Sequence, residues 1–229
     1  MANILDSCTK IFKTKFDNYN KKANRQNIKQ IIQRKAEDVA TLINQFGLES
    51  CMKNKLFVQN LLDYSFYRGF KVNVGGIENV EILDLIVDSN LNFEEILSHN
   101  RLSIANLQAK KTGNTLGHIL AMHPAFNPEN FETLKYGNIE KALKFYASNY
   151  NLAQIQNIDG NTIGHLANHN ERILGYYKKS RVLSSIKNKK GLTATGETLT
   201  YKEKQEVRRQ QLIKQTNNEE LESNGNTGR

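Results

Sequence analysis

His165 and His169 stand four residues apart, a spacing that puts two imidazoles on one helix face, where a metal ion could bridge them. His118 sits in a related phrase 47 residues before His165. A tetrahedral site needs more donors, and no Cys, Asp or Glu lies at a spacing that completes one. The His-Glu-x-x-His form is absent as well. Cys8 and Cys51 are the only cysteines, too few for a disulfide framework or a paired-cysteine metal site. Lys53 and Lys55 would favour a thiolate at Cys51, yet a buried or bystander thiol is the plainer reading. No phosphate-binding loop, dinucleotide fingerprint or nucleophile elbow appears. We therefore expect no catalytic residue, no metal and no cofactor.

What repeats is a turn and a helix start. Gly113-Asn114-Thr115-Leu116-Gly117-His118 returns as Gly160-Asn161-Thr162-Ile163-Gly164-His165, and a decayed copy runs from Lys190 to Gly196. A phrase written twice at a fixed interval marks a repeated structural unit, and stacked units mostly bind other macromolecules. Gly113 and Gly160 suit a turn, while Thr115 and Thr162 suit the start of a helix, where a hydroxyl satisfies an orphan amide. Glycine at 117 and 164 would weaken each first helical turn by up to about 1 kcal/mol relative to alanine.

The elements that must carry these turns are helices. Apolar positions from Ile28 to Phe46 recur every three or four residues and stop at Gly47. Similar patterns predict helices over 3–20, over 54–67, around Ile82–Val87 and around Phe93–Leu97. We read residues 1–70 as a helical N-terminal domain or cap, with Gly75-Gly76 as a chain break opening an array over 76–200. The predicted class is all-α. Hydrophobic content of 38% is low for a compact globule and tolerable where each unit packs only on its neighbours. The 29 asparagines suggest the codon usage of an AT-rich genome rather than any chemistry.

The run Asn157-x-Asp159-Gly160-Asn161-Thr162-x-x-His165-x-Ala167 resembles the ankyrin repeat, with Lys141–Asn149 similar to that family's second helix and outward turn. The resemblance implies an α-solenoid of about three divergent units, with His118 and His165 bonding back to threonine and to neighbouring backbone. It departs from the family where Leu116 and Ile163 replace proline, and the 47-residue spacing exceeds the family's ~33 residues by about 14. Divergent repeats of this style resemble those of intracellular bacteria that place ankyrin proteins in host cells. The resemblance further implies a non-enzymatic protein–protein interaction module, soluble, cytoplasmic or translocated into a host cell.

The extra residues locate themselves at Pro124–Gly137, which hold both prolines of the chain. Phe126, Phe131 and Tyr136 on this insertion are the candidate partner-binding residues, because rings on a stiffened loop lose little entropy on binding. Exposure discriminates: three inward rings mean self-packing, whereas two or more outward rings mean an interface.

Two basic flanks enclose an acidic centre. Residues 1–71 carry 13 basic and 6 acidic groups, 72–177 carry 7 and 11, and 178–214 carry 11 and 3. A solvated helix surface explains the flanks simply. The alternative function is nucleic-acid or acidic-partner binding through Lys15, Lys21, Lys22, Arg25, Arg208 and Arg209. Thr200-x-x-Glu203 predicts a capping box opening a charged helix over 201–215. The tail over 216–229 is polar enough for disorder, and its Glu219-Glu220-Leu221-Glu222 resembles Glu-rich secretion signals. No signal peptide or membrane span is expected. Partner identity and oligomeric state are not in the sequence. If the basic flank binds phosphates, replacing Lys21, Lys22 and Arg25 with Glu abolishes oligonucleotide binding in a filter assay; unchanged binding refutes that alternative.

Overall fold

The computed structural model describes residues 25–64, 71–102 and 104–196. The expected helices over 3–20 and 201–215 and the acidic tail lie outside the described residues. Two compact units emerge, the first ending at Ile86 and the second beginning at Val87.

In the first unit, α1 (Arg25–Phe46) buries Ala36, Val39, Ala40, Leu42 and Ile43 along one stripe. It ends where the Gly47 N–H closes onto the Ile43 carbonyl at 2.8 Å. The short α2 (Leu48–Met52) leads to Asn54, whose Oδ1 accepts from the amides of Leu56 (3.0 Å) and Phe57 (3.1 Å) and so starts α3 (Lys55–Tyr64). Phe57, Val58, Leu61 and Leu62 close this core.

The fold is mostly helical, but it is not all-α. Strands β1 (Lys71–Val74) and β2 (Ile77–Glu81) form an antiparallel hairpin with Lys71 opposite Glu81 and Val72 opposite Val80. Gly75 and Gly76 have φ of 60° and 83°, the double left-handed turn that a two-residue hairpin needs. They connect strands rather than open the repeats. Strand β1 packs on α1, with Val72 buried between them and Asn44 of α1 bonded to the Asn73 carbonyl and the Gly75 amide. The boundary therefore falls after the hairpin, within α4 (Ile82–Asp88), and not at residues 70–76.

In the second unit, α5 (Phe93–Leu102), α6 (Leu116–Ala121), α9 (Ile163–Leu166) and α10 (Glu171–Lys179) all pack on α7 (Leu134–Ser148), with α8 (Tyr150–Ala153) following it and α11 (Arg181–Ser185) packed on α10. The insertion forms two 3-10 turns, Pro124–Phe126 and Pro128–Asn130, between α6 and α7. Asn138 of α7 donates to the Val87 (3.0 Å) and Ser89 (3.2 Å) carbonyls, tying the entry of the unit to its central helix.

The glycines at 117 and 164 turn out to be packing positions, not weak points. A methyl group on Gly164 would stand 2.7 Å from three carbons of the Tyr177 ring. One on Gly117 would meet Ile163 Cδ1 at 2.5 Å and the Tyr146 ring at 2.9 Å. Each tyrosine lies across a helix start only because no side chain stands there, and each hydroxyl donates to a carbonyl beyond: Tyr146 to Ala105 at 3.2 Å, Tyr177 to Ala153 at 2.8 Å. Burial pushes both phenol pKa values up, that of Tyr177 to about 12.

Two alanine substitutions of one chemistry should therefore differ in sign. Gly164→Ala should lower stability by about 1–3 kcal/mol through overpacking. Gly137→Ala in α7, where nothing lies within 4 Å, should raise it by up to about 1 kcal/mol. Urea denaturation midpoints of the two variants check this.

Candidate functional site

Three loops, 107–115, 155–162 and 187–193, lie against one another through the same bonds used twice. Gln108 Nε2 donates to the Gly113 carbonyl in its own loop (2.7 Å) and to Gln156 in the next (3.2 Å). Gln156 Nε2 in turn donates to Gly160 (2.6 Å) and to Lys187 of the third loop (3.0 Å). Asn157 Nδ2 donates to Asn114 Oδ1, and Asn188 Nδ2 to Asn161 Oδ1, both at 2.9 Å. Between backbones, the Ile158 amide donates to Thr112 (2.8 Å) and the Lys189 amide to Asp159 (2.9 Å). Gly160, at φ 77°, allows the closest approach, since a methyl there would lie 2.8 Å from the Lys189 nitrogen.

Asn114, Asn157, Asn161 and Asn188 are all buried, so the codon-usage account of the asparagines fails at these positions. A side-chain amide offers donors and an acceptor at once. Asn157 Oδ1 accepts from the Asp159 and Asn161 amides while its Nδ2 reaches the previous loop. An unpaired buried amide would cost about 1–3 kcal/mol, and the ladder leaves these four paired.

His118 and His165 are buried bolts between the helix starts and the following loops. His118 Nδ1 accepts from the Thr115 backbone amide (3.3 Å) and lies 2.8 Å from the Thr115 hydroxyl. Its Nε2 faces the Asn161 carbonyl at 2.9 Å and must carry the proton, because a carbonyl only accepts. His165 repeats this with Thr162 (3.1 and 2.8 Å) and the Leu192 carbonyl (2.9 Å). Burial lowers the His118 pKa to about 4, against the bonds to backbone carbonyls, which raise it. Both nitrogens of each ring serve the fold. His169 lies beside Phe126, with ring centroids 4.7 Å apart, and His165 has both ring nitrogens engaged by Thr162 and the Leu192 carbonyl. Among the described residues no group of three His, Cys, Asp or Glu could hold a metal.

The insertion divides its three rings. Phe126 and Tyr136 are buried and stacked at 4.8 Å, so these two candidate contact residues pack inward and are not surface anchors. Phe131 is 64% exposed, beside Leu134 at 66%. Thr133 fixes this pair: its hydroxyl donates to the Asn130 carbonyl (2.8 Å) and accepts from the Tyr136 amide (3.2 Å), capping α7. Neither limiting pattern of exposure occurs. The insertion has its own small core and presents one ring.

Glu140 links the insertion to α10. Asn170 caps α10 with its Oδ1 and donates through Nδ2 to both the Tyr136 hydroxyl and Glu140 Oε1 at 3.0 Å. Lys144 and Arg172 reach Glu140 Oε2 at 3.3 Å. Burial works to raise the Glu140 pKa, but the Asn170 amide and the two cations together hold it below the usual carboxylate range. Near this network, Asn90, Leu91, Phe93, Lys141, Phe145 and Tyr176 line an open cleft of about 500 Å³.

Of the basic candidates, Lys15, Lys21, Lys22, Arg208 and Arg209 lie outside the described residues, and Arg25 opens α1 without a described side chain. The structural residues that sequence reasoning missed are Gln108, Gln156, the four asparagines, Tyr146 and Tyr177. The Gln ahead of each repeated glycine was the available signal. Among the described residues no helix is long and apolar enough to cross a membrane. Comparison with family models, with curated protein sequences and with solved structures gives no match.

Because unfolded His118 titrates near 6.5 and the folded ring near 4, the unfolded chain binds the extra proton between those values. Its contribution is complete above pH 6.5 and is lost as pH falls toward 4, by about 3 kcal/mol. His118→Gln, which keeps a capping side chain, should flatten the fall in urea midpoint between pH 7 and pH 4.5. An equally steep fall in the variant would show that His118 is not the group responsible.

Proposed function

We propose that this chain is a non-enzymatic protein-recognition module whose second unit is built from ankyrin-like repeats. The observation that carries the recognition role is the display of Phe131 and Leu134. They are the most exposed of the large apolar side chains among the described residues, and they stand on a capped turn backed by the Phe126–Tyr136 stack. Such a platform loses little entropy when a partner covers it. An exposed ring on a rigid base is the kind of side chain that dominates binding energy at interfaces.

Two things support the ankyrin-like reading. Thr115 with His118 and Thr162 with His165 make the same cap, and each histidine then holds the next loop. The additional residues of the longer unit lie between its two helices, α6 and α7, where they leave the loop-to-loop bonds undisturbed. The non-enzymatic reading draws on the same residues, since His118 and His165 have both ring nitrogens engaged by the fold.

The test is capture of a protein partner from cell lysate, with nuclease and at high salt, by the unaltered chain and by a Phe131→Ala, Leu134→Ala variant. A partner that survives both treatments and is captured about tenfold less by the variant, at unchanged Tm, supports the proposal. A yield that collapses with nuclease or salt overturns it and assigns binding to the charged flanks.

A further inference from the structure

We infer that the tips of the three stacked loops form one docking row for an acidic protein segment that carries an aliphatic side chain. The row does not involve the insertion and does not depend on the role given to Phe131. Its order follows from two backbone bonds. Ile158 N–H to Thr112 sets the first tip beside the second, and Lys189 N–H to Asp159 sets the second beside the third. Lys110 and Lys111 stand on the first tip and Lys189 and Lys190 on the third, all four exposed, with the half-buried Asp159 as the one carboxylate on the tips. Four cations against one carboxylate, along a line of three hydrogen-bonded turns, attract an extended acidic chain and steer its approach.

Ile158 decides the class of partner. It is 51% exposed at the middle of the row, flanked by lysines on either side. A phosphodiester backbone has nothing to place on it, whereas a polypeptide can pair carboxylates with the lysines and set a leucine or valine against the isoleucine. Residues 110–112, 158–160 and 189–191 include no aromatic side chain, so unpaired bases would find no ring to stack on. The glutamine and asparagine ladder beneath holds the tips in place before binding, which reduces the entropy lost when a partner docks.

The experiment is fluorescence anisotropy with the full chain and three labelled probes: a peptide of Glu-Glu-Leu repeats, the same peptide with Ser for Leu, and a single-stranded oligonucleotide. The Leu peptide should bind most tightly, and more weakly as salt rises. Lys110→Glu with Lys111→Glu, or Lys189→Glu with Lys190→Glu, should weaken it about tenfold or more. Ile158→Ser should weaken it about fivefold, to the level of the Ser peptide. Phe131→Ala should leave binding unchanged, which separates this surface from the insertion; unchanged Tm in every variant excludes unfolding. No binding of the Leu peptide, indifference to the lysine or Ile158 changes, or an oligonucleotide bound as tightly as the Leu peptide would each overturn the inference.

Discussion

Everything in the second unit hangs on a neutral imidazole wedged between a threonine and a carbonyl. His118 closes its own helix start through Nδ1 and holds the following loop through Nε2, and His165 does the same one unit later. One ring thus performs a local task and a long-range one, and protonation breaks the local one, because a protonated Nδ1 would point a hydrogen at the Thr115 amide, while Nε2 would still donate to the Asn161 carbonyl. Burial favours the neutral form of His118. The two histidines thus have structural roles, and the 47 residues between them separate two copies of the same cap.

Around these bolts the loops divide the remaining polar work. The glutamines join carbonyls of successive loops, and the asparagines organise their own turn while reaching the one before. The asparagine bonds lie in the interior, where a donor without an acceptor is costly, and the glutamine bonds run along the exposed side, so each loop restricts the conformation of its neighbour. The helices behind them pack on α7, and the tyrosines cross at the two positions where glycine leaves room. What remains outward among the described residues includes the loop tips, the cleft beside Phe145, and Phe131 with Leu134.

The segment Pro124–Gly137 is tied into the fold by its own contacts. Its prolines begin two 3-10 turns, Phe126 and Tyr136 stack inward, and Asn170 bonds the Tyr136 hydroxyl and Glu140 together. These residues carry their own small core and a polar clasp to α10, apart from the bonds that join the three loops. Both proline and aromatic content marked this segment in the sequence, but neither indicates which ring turns outward. Position relative to the Thr133 cap decides that.

Local patterning determined much by itself. The stripe from Ile28 to Phe46 specified α1 and its stop at Gly47, and the doubled Gly-Asn-Thr-x-Gly-His phrase announced a recurring unit, because helical period and turn chemistry are properties of neighbouring residues. The same local view misjudged Gly75-Gly76, which reads as a break until β2 is seen pairing back on β1, and it missed the strands altogether. It also treated Gly117 and Gly164 as weak points and the asparagines as compositional bias. Each of those residues takes its meaning from a partner 13 to 46 residues away: Gly164 from Tyr177, Gly117 from Tyr146 and Ile163, Asn157 from Asn114. Contacts across such separations depend on how helices and loops stack in three dimensions, and only the tertiary structure decides that.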